Sequence, residues 1–291
     1  MKPASYTTLL TERTGAVLKI TTNRPEVLNA QSRILLEELD DAFKRAVDDD
    51  AVRVIILAGA GKHFSAGHDL GSPQEMADQK KTPLEPGFKG EYRRIFERFF
   101  ENTMRWRDLP KPTIAQVQGY CIMGGMMIAS ACDLIIASDD ASFKDPVIDF
   151  GICGVEFFNH PWELGIRKAK EFLFTADEIN ARDAAACGMV NRVVARDELA
   201  AATLALAEKI ATKPAFALKA TKQAVNHVQD VQGRRNAQMH VFSLHHLLHA
   251  HNELVYGMAM DPNGLPATVR DKVLARVARA KAAAKAKEVG D

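Results

Sequence analysis

Apolar and polar positions alternate over residues 16–22 (AVLKITT), which predicts a strand, while Ile34, Leu35, Leu39, Phe43 and Val47 form one stripe of a helix predicted over 32–48. VRVIILAGAG at 52–61 is a β-branched run closed by glycines, the pattern of a strand buried on both faces that ends in a loop. The stretch 71–90 (GSPQEMADQKKTPLEPGFKG) is rich in Gly, Pro and Lys and predicts a mobile loop over a substrate mouth. Ile95, Phe99 and Met104 share one face of a helix predicted over 91–107, which Leu109-Pro110 ends. PTIAQVQGYCI reads as the next buried strand, 134–137 as another, and Ala141-Ser142-Phe143 as a short one. From 167 onward the pattern is helical, over 168–174, 181–187, 197–212 and one long run from 214 to about 256, with an Ala/Lys-rich solvated helix over 269–289. The fold class is α/β with a helical C-terminal region. Residues 1–200 form the core, and 201–291 cover a partner subunit or cap the site.

Composition narrows the function classes. The chain has 291 residues, 47% of them hydrophobic and 26% charged, enough for one large globular body. A formal net charge of +1 gives no general attraction to nucleic acid or to a membrane surface, so an anionic ligand must be met locally. No run of eighteen apolar residues and no signal-peptide h-region occur, which places the protein in the cytoplasm. Cys121, Cys132, Cys153 and Cys187 contain no CxxC pair and read as reduced core residues.

The chemistry concentrates in FSAGHDL at 64–70 and QGYCIMGGMMIASACDLIIA at 118–137. Each sets small residues at the end of an apolar run, where bare backbone N–H groups can converge on a substrate oxygen. Gly124-Gly125 also opens a stretch of helical character, whose positive end would face the same point. The pattern is that of an oxyanion site.

FSAGHDL resembles the string F-x-A-G-x-D-L of the crotonase (enoyl-CoA hydratase/isomerase) superfamily. PKPTIAQVQGY followed by the Gly124-Gly125 pair and ACDLIIAS resembles that superfamily's second signature. Arg24-Pro25-Glu26-Val27-Leu28-Asn29-Ala30, Ala141-Ser142-Phe143 and residues 166–194 extend the likeness over about residues 10–225. The resemblance implies a spiral of ββα turns with two roughly perpendicular sheets, C-terminal helices that pack in a homotrimer or dimer of trimers, and an acyl thioester of coenzyme A as substrate. It implies that the N–H groups of Ala66 and Gly124 hold the thioester oxygen, and that Ala30, Gly67, His68, Asp69, Leu70, Met127 and Val147 line the substrate site with them. No metal or redox cofactor is implied, because coenzyme A arrives as part of the substrate.

Two positions depart from the resemblance. A typical hydratase carries a glutamate three residues after the glycine of the hole and a second after the proline of F-x-x-P-E; Met127 and Val147 stand there instead. Adding water to a double bond needs a base to orient the water and an acid to protonate carbon, each contributing about 100- to 10,000-fold, and neither side chain can do this. Asp145, Asp149, Glu156 and His160 lie in the right segment to replace them. On a strand, 145, 147 and 149 would share a face. Glu156 either points into the pocket or complements a helix N-terminus. His68 is either a site residue or a loop histidine, and Asp69 a loop-fixing carboxylate. His245 and His249 have the i, i+4 spacing of a zinc pair without further ligands in reach of the pattern, and read better as part of a helix at a subunit seam.

The expectation is an acyl-CoA lyase or isomerase of the hydratase/isomerase class, with Ala66 and Gly124 stabilising an enolate and Glu156 or Asp149 moving the proton. The alternatives are a catalytically silent acyl-CoA-binding protein and an acyl-CoA hydrolase.

Overall fold

The computed structural model describes residues 5–279 apart from 86, 266, 268, 269, 272 and 276. The chain starts with a hairpin of β1 (Leu9–Thr14) and β2 (Val17–Thr22), crosses over through α1 (Arg33–Asp48), and returns in β3 (Val54–Gly59), parallel to β2. Ser32 caps α1 by accepting the Leu35 N–H at 3.2 Å, satisfying one of the free amides of the first turn. Next come α2 (Pro73–Lys81) and α3 (Phe88–Ile95); a π-helical turn (Phe96–Glu101) joins α3 to α4 (Asn102–Arg107).

The remaining spiral alternates between two sheets. β4 (Thr113–Val117) lies in the first and β5 (Tyr120–Ile122) in the second, followed by α5 (Gly124–Ser130). β6 (Leu134–Ser138) and β7 (Ser142–Lys144) repeat the step, followed by a 3-10 turn (Pro146–Phe150), α6 (His160–Leu164) and α7 (Ile166–Thr175). β8 (Ile179–Asn180), α8 (Ala181–Ala186) and β9 (Arg192–Val194) close it. The sheets have strand orders β1-β2-β3-β4-β6-β9 and β5-β7-β8. Isolated bridges Ser65↔Cys121 and Gln31↔His68 carry the second sheet's pairing into the loop after β3 and the loop before α1.

β3, inside the first sheet, is buried along its whole length, which matches its apolar sequence. Ile20, Ile55 and Leu57 pack with Leu35, Leu39 and Phe43 of α1; Val17, Val54 and Ile56 pack on the other side with Leu199 and Ala207 of α9 (Leu199–Ala211). Two long helices follow, α10 (Ala215–Val231) and α11 (Arg234–Tyr256).

Three expectations change. Residues 71–90 are largely helical, because Ser72 caps α2 through the Glu75 N–H and α3 begins at Phe88. The run from 214 to 256 is two helices, broken where Gly233 turns left-handed at φ +90°. Asp145, Val147 and Asp149 share no strand face, since β7 stops at Lys144 and Pro146 starts a 3-10 turn. The Ala/Lys stretch 269–289 lies mostly outside the described residues.

Candidate active site

A backbone accounting decides which amides of FSAGHDL are free. The N–H groups of Phe64 and Ser65 donate to Gln118 O and Tyr120 O at 2.8 and 3.0 Å. That of Ala66 donates to Leu28 O at 2.9 Å, that of Gly67 to Ser65 Oγ at 3.2 Å, and that of Asp69 to Gln31 O at 3.1 Å. The His68 and Leu70 N–H groups in this run have no acceptor among the described residues; of the two, His68 stands beside Gly124, whereas Leu70 is 74% exposed. The expectation that Ala66 supplies an oxyanion donor is therefore corrected: its amide is consumed in holding the loop to Leu28.

The second loop presses against the first. Met123 adopts φ +49°, its N–H donates to Lys144 O at 2.9 Å, and the chain then enters α5 with the Gly124 N–H free of any acceptor among the described residues. A Cβ on Gly67 would stand 3.0 Å from Gly124 N and 2.9 Å from Ile122 O, so only glycine permits this approach. A Cβ on Gly124 would meet the His68 ring at 2.6–2.7 Å and Gln31 Oε1 at 2.8 Å. Gln31 Nε2 ties the turn down by donating to Gly124 O at 2.8 Å.

Asp69 is the loop-fixing carboxylate. It pairs with Arg24 Nη2 at 2.8 Å, both side chains being buried, and accepts from the Ser72 N–H and hydroxyl at 2.7 and 2.6 Å. Burial pushes its carboxyl up, but the Ser72 and Arg24 hydrogen bonds outweigh this and hold it below the usual carboxylate range. Arg24 also donates to Ala30 O at 2.5 Å, which places Ala30 beside this brace.

Glu156 points into the site. Its carboxyl is nearly inaccessible, with Oε2 3.8 Å from His68 Nε2 and Oε1 3.6 Å from His245 Nε2. Glu156 Oε2 and His68 Nε2 are both buried without a hydrogen-bond partner among the described residues. Burial raises the carboxyl, yet His68 and His245 lower it by more, so the group sits below its ordinary value; burial lowers the His68 imidazole. The His68 ring lies against Phe99, centroids 3.8 Å apart, and the π-helical turn is what presents Phe99 there. Gln31, His68, Asp69, Leu70, Phe99 and Glu156 contribute to the wall of one cavity of about 150 Å³.

The other carboxylates are elsewhere. Asp149 is exposed, and its backbone packs against Gly264, so the expectation that it moves a substrate proton is corrected. Asp145 is fully buried and pairs with His160 Nε2 at 3.1 Å, away from the cavity lining. Met127 and Val147 are buried in the main core cluster. Sequence reasoning missed the partners of Glu156: His245 and His249 come from α11, and nothing in their spacing points back to residue 156.

The model of the enoyl-CoA hydratase/isomerase family matches residues 12–261. The chain belongs to this family, within the crotonase superfamily. It is 45% identical over 249 residues to EchA13 of Mycobacterium tuberculosis, named for enoyl-CoA hydratases, with 81% of this chain and 78% of that one covered. It is 35% identical to the short-chain-enoyl-CoA hydratase of Clostridium acetobutylicum, covering 75% and 80%. The crystal structure of a probable enoyl-CoA hydratase from Mycobacterium smegmatis superposes with a TM-score of 0.82 at 48% identity, over 88% of this chain and all of that one. The crotonase fold expected from the motifs is thereby established, and Met127 and Val147 stand inside it as apolar side chains.

Proposed function

We propose that the protein is an acyl-CoA isomerase of the hydratase/isomerase family in which one carboxylate, Glu156, moves the proton while the N–H groups of His68 and Gly124 hold the thioester oxygen. The observation that carries this reading is the buried, unpartnered Glu156 Oε2 facing His68 Nε2 in the cavity, beside the two turns that carry free amides. In the reaction, the electrons of an α C–H bond flow into an enolate, charge collects on the thioester oxygen, and the proton passes to Glu156, which returns it to the γ-carbon as the double bond shifts. Each amide donor contributes about 3 kcal/mol by analogy with other oxyanion holes. A single ionised carboxylate suffices for such a transfer, whereas hydration calls on an acid and a base together. Coenzyme A enters with the substrate, and no other cofactor is required.

The deciding experiment incubates the protein with 3-enoyl- and 2-enoyl-CoA in deuterated water and follows label uptake by mass spectrometry. Wild type exchanges and interconverts the two, and Glu156→Gln does so about 100- to 10,000-fold more slowly. Exchange unchanged in Glu156→Gln overturns the assignment of the base. Rapid loss of the conjugated thioester as water adds overturns the isomerase reading, release of free thiol replaces it with hydrolysis, and binding without exchange replaces it with a silent binding module.

A further inference from the structure

α11 brings two imidazoles against Glu156, and their hydrogen bonds fix how many protons they hold. His245 Nδ1 lies 2.8 Å from Gly154 O, and His249 Nδ1 lies 2.5 Å from Ala259 O. A carbonyl oxygen only accepts, so both Nδ1 atoms carry hydrogen. The two Nε2 atoms face each other at 2.8 Å. Two lone pairs would repel at that distance, whereas one proton between them would make the contact attractive and give the pair one positive charge, even though burial and the neighbouring His245 lower the His249 imidazole. Glu156 Oε1, 3.6 Å from His245 Nε2, carries the opposite charge in the same buried region.

We propose that Glu156, His245 and His249 form a buried triad in which the two imidazoles share one extra proton, keep Glu156 ionised at the cavity wall, and thereby act as positioning residues for its proton transfer. A carboxylate taken out of water without a compensating charge would neutralise itself. The shared proton removes that outcome, and delocalising it over two rings lets both Nδ1–H groups keep their carbonyls. His249 also lines the cavity with Glu156, so the triad borders the substrate space.

Other charged groups around it do not replace the triad. From the loop after β3, His68 faces Glu156; from α3, Arg94 acts on His68 and Glu91 on His249; Asp145 acts on His68 from beyond β7; and His246 adjoins both imidazoles on α11. Glu91 and Arg94 pair with each other, so together these two groups add little net charge at the triad.

The role in catalysis rests on the reading of Glu156 as the base, whereas the protonation state does not, and the experiment separates the two. In full-length protein labelled with 15N-histidine and free of acyl-CoA, long-range proton–nitrogen spectra at neutral pH should show both Nδ1 atoms protonated and one proton shared by the two Nε2 atoms. Two neutral rings, or a ring with a bare Nδ1, overturn the proposal, as does displacement of the shared proton by added zinc bound at both Nε2 atoms. In the same free protein, His249→Gln should raise the Glu156 titration midpoint, read by carboxyl 13C shift, so that at a pH near the midpoint the ionised-to-neutral ratio falls about tenfold or more. His251→Gln, on the exposed side of α11, should leave it in place and reports folding of the helix. An unmoved midpoint in folded His249→Gln overturns the triad. A moved midpoint without a matching shift of the acid limb of kcat/KM keeps the protonation state but overturns the positioning role and, with it, Glu156 as the base.

Discussion

Glu156 Oε2 and His68 Nε2 stand 3.8 Å apart, each buried and neither hydrogen-bonded among the described residues. Leaving two such atoms unsatisfied costs stability, about 1–3 kcal/mol for a neutral group and more for a charged one. Both residues lie in a cavity wall, and under the proposed chemistry Glu156 takes and returns a proton, which a carboxylate locked to a permanent partner could not do.

The two residues contribute to the proposed chemistry through different atoms. His68→Ala keeps the residue's amide, so the oxyanion donor survives and the rate of α-proton exchange should fall by no more than about tenfold, against the 100- to 10,000-fold expected for Glu156→Gln. The comparison is made by deuterium uptake under saturating acyl-CoA. A His68→Ala loss as large as that of Glu156→Gln would make the imidazole itself the proton carrier.

The loop contact at Gly67 should be intolerant of a methyl group. Its φ is +93° and the added Cβ would meet backbone atoms of Ile122 and Gly124, which cannot swing aside. Gly15 has φ +56° and open space around it, so alanine there meets only the left-handed penalty of about 1–2 kcal/mol. Thermal unfolding of Gly67→Ala should therefore show a clearly larger loss than Gly15→Ala, together with a loss of acyl-CoA turnover that Gly15→Ala does not share.

Arg24 and Asp69 brace the same loop as a buried ion pair. Removing one partner strands the other charge, so Arg24→Ala and Asp69→Ala should each cost about 3–5 kcal/mol, while the double change to apolar residues of similar volume should cost less than either. Denaturant midpoints around a double-mutant cycle measure the coupling, and additive losses would deny it.

How much of this was legible in the sequence follows from the range of the interactions. Local patterns carried α1 and β3, where periodicity and burial agree. β1 was missed because it is an edge strand with one buried residue in six and no alternation. The helical character of 71–90 was hidden by composition, since the Ser72 cap and the docking of Glu75 against the Arg33 amide outweigh the glycines and prolines. Within the site, the FSAGHDL string was readable but its donor was not: Ala66 and His68 are two residues apart, and only the destination of each N–H separates them. Glu156 was among the candidates, while its imidazole partners lie about ninety residues away in the chain and needed the fold to bring them in.

The pH dependence of stability should carry the mark of His246. Burial, with the neighbouring His245 and His249, pulls this imidazole down from 6.5 to about 4, although its bond to Phe242 O opposes the shift. The unfolded chain then binds a proton that the folded one does not, so the neutral ring's contribution is complete above about pH 6.5 and is lost as pH falls from there toward 4. Urea midpoints measured across that window should decline, and His246→Phe should flatten the decline. An equal decline in both proteins would place the acid lability in other groups.

Self-association should cover the outer faces of α10 and α11. Phe216 is 81% exposed and Leu254 86%, with Val225, Val228, Val231 and Leu247 also open on these helices. A single exposed apolar side chain is ordinary, but this many on two adjacent helices form a surface that burial would stabilise at about 25 cal/mol per Å². Light scattering behind size exclusion is expected to give the mass of a homotrimer or a dimer of trimers, and Leu254→Asp with Phe216→Asp to shift it toward the monomer. A monomer at micromolar wild-type concentration would remove these helices as an interface and leave their exposed side chains without that account.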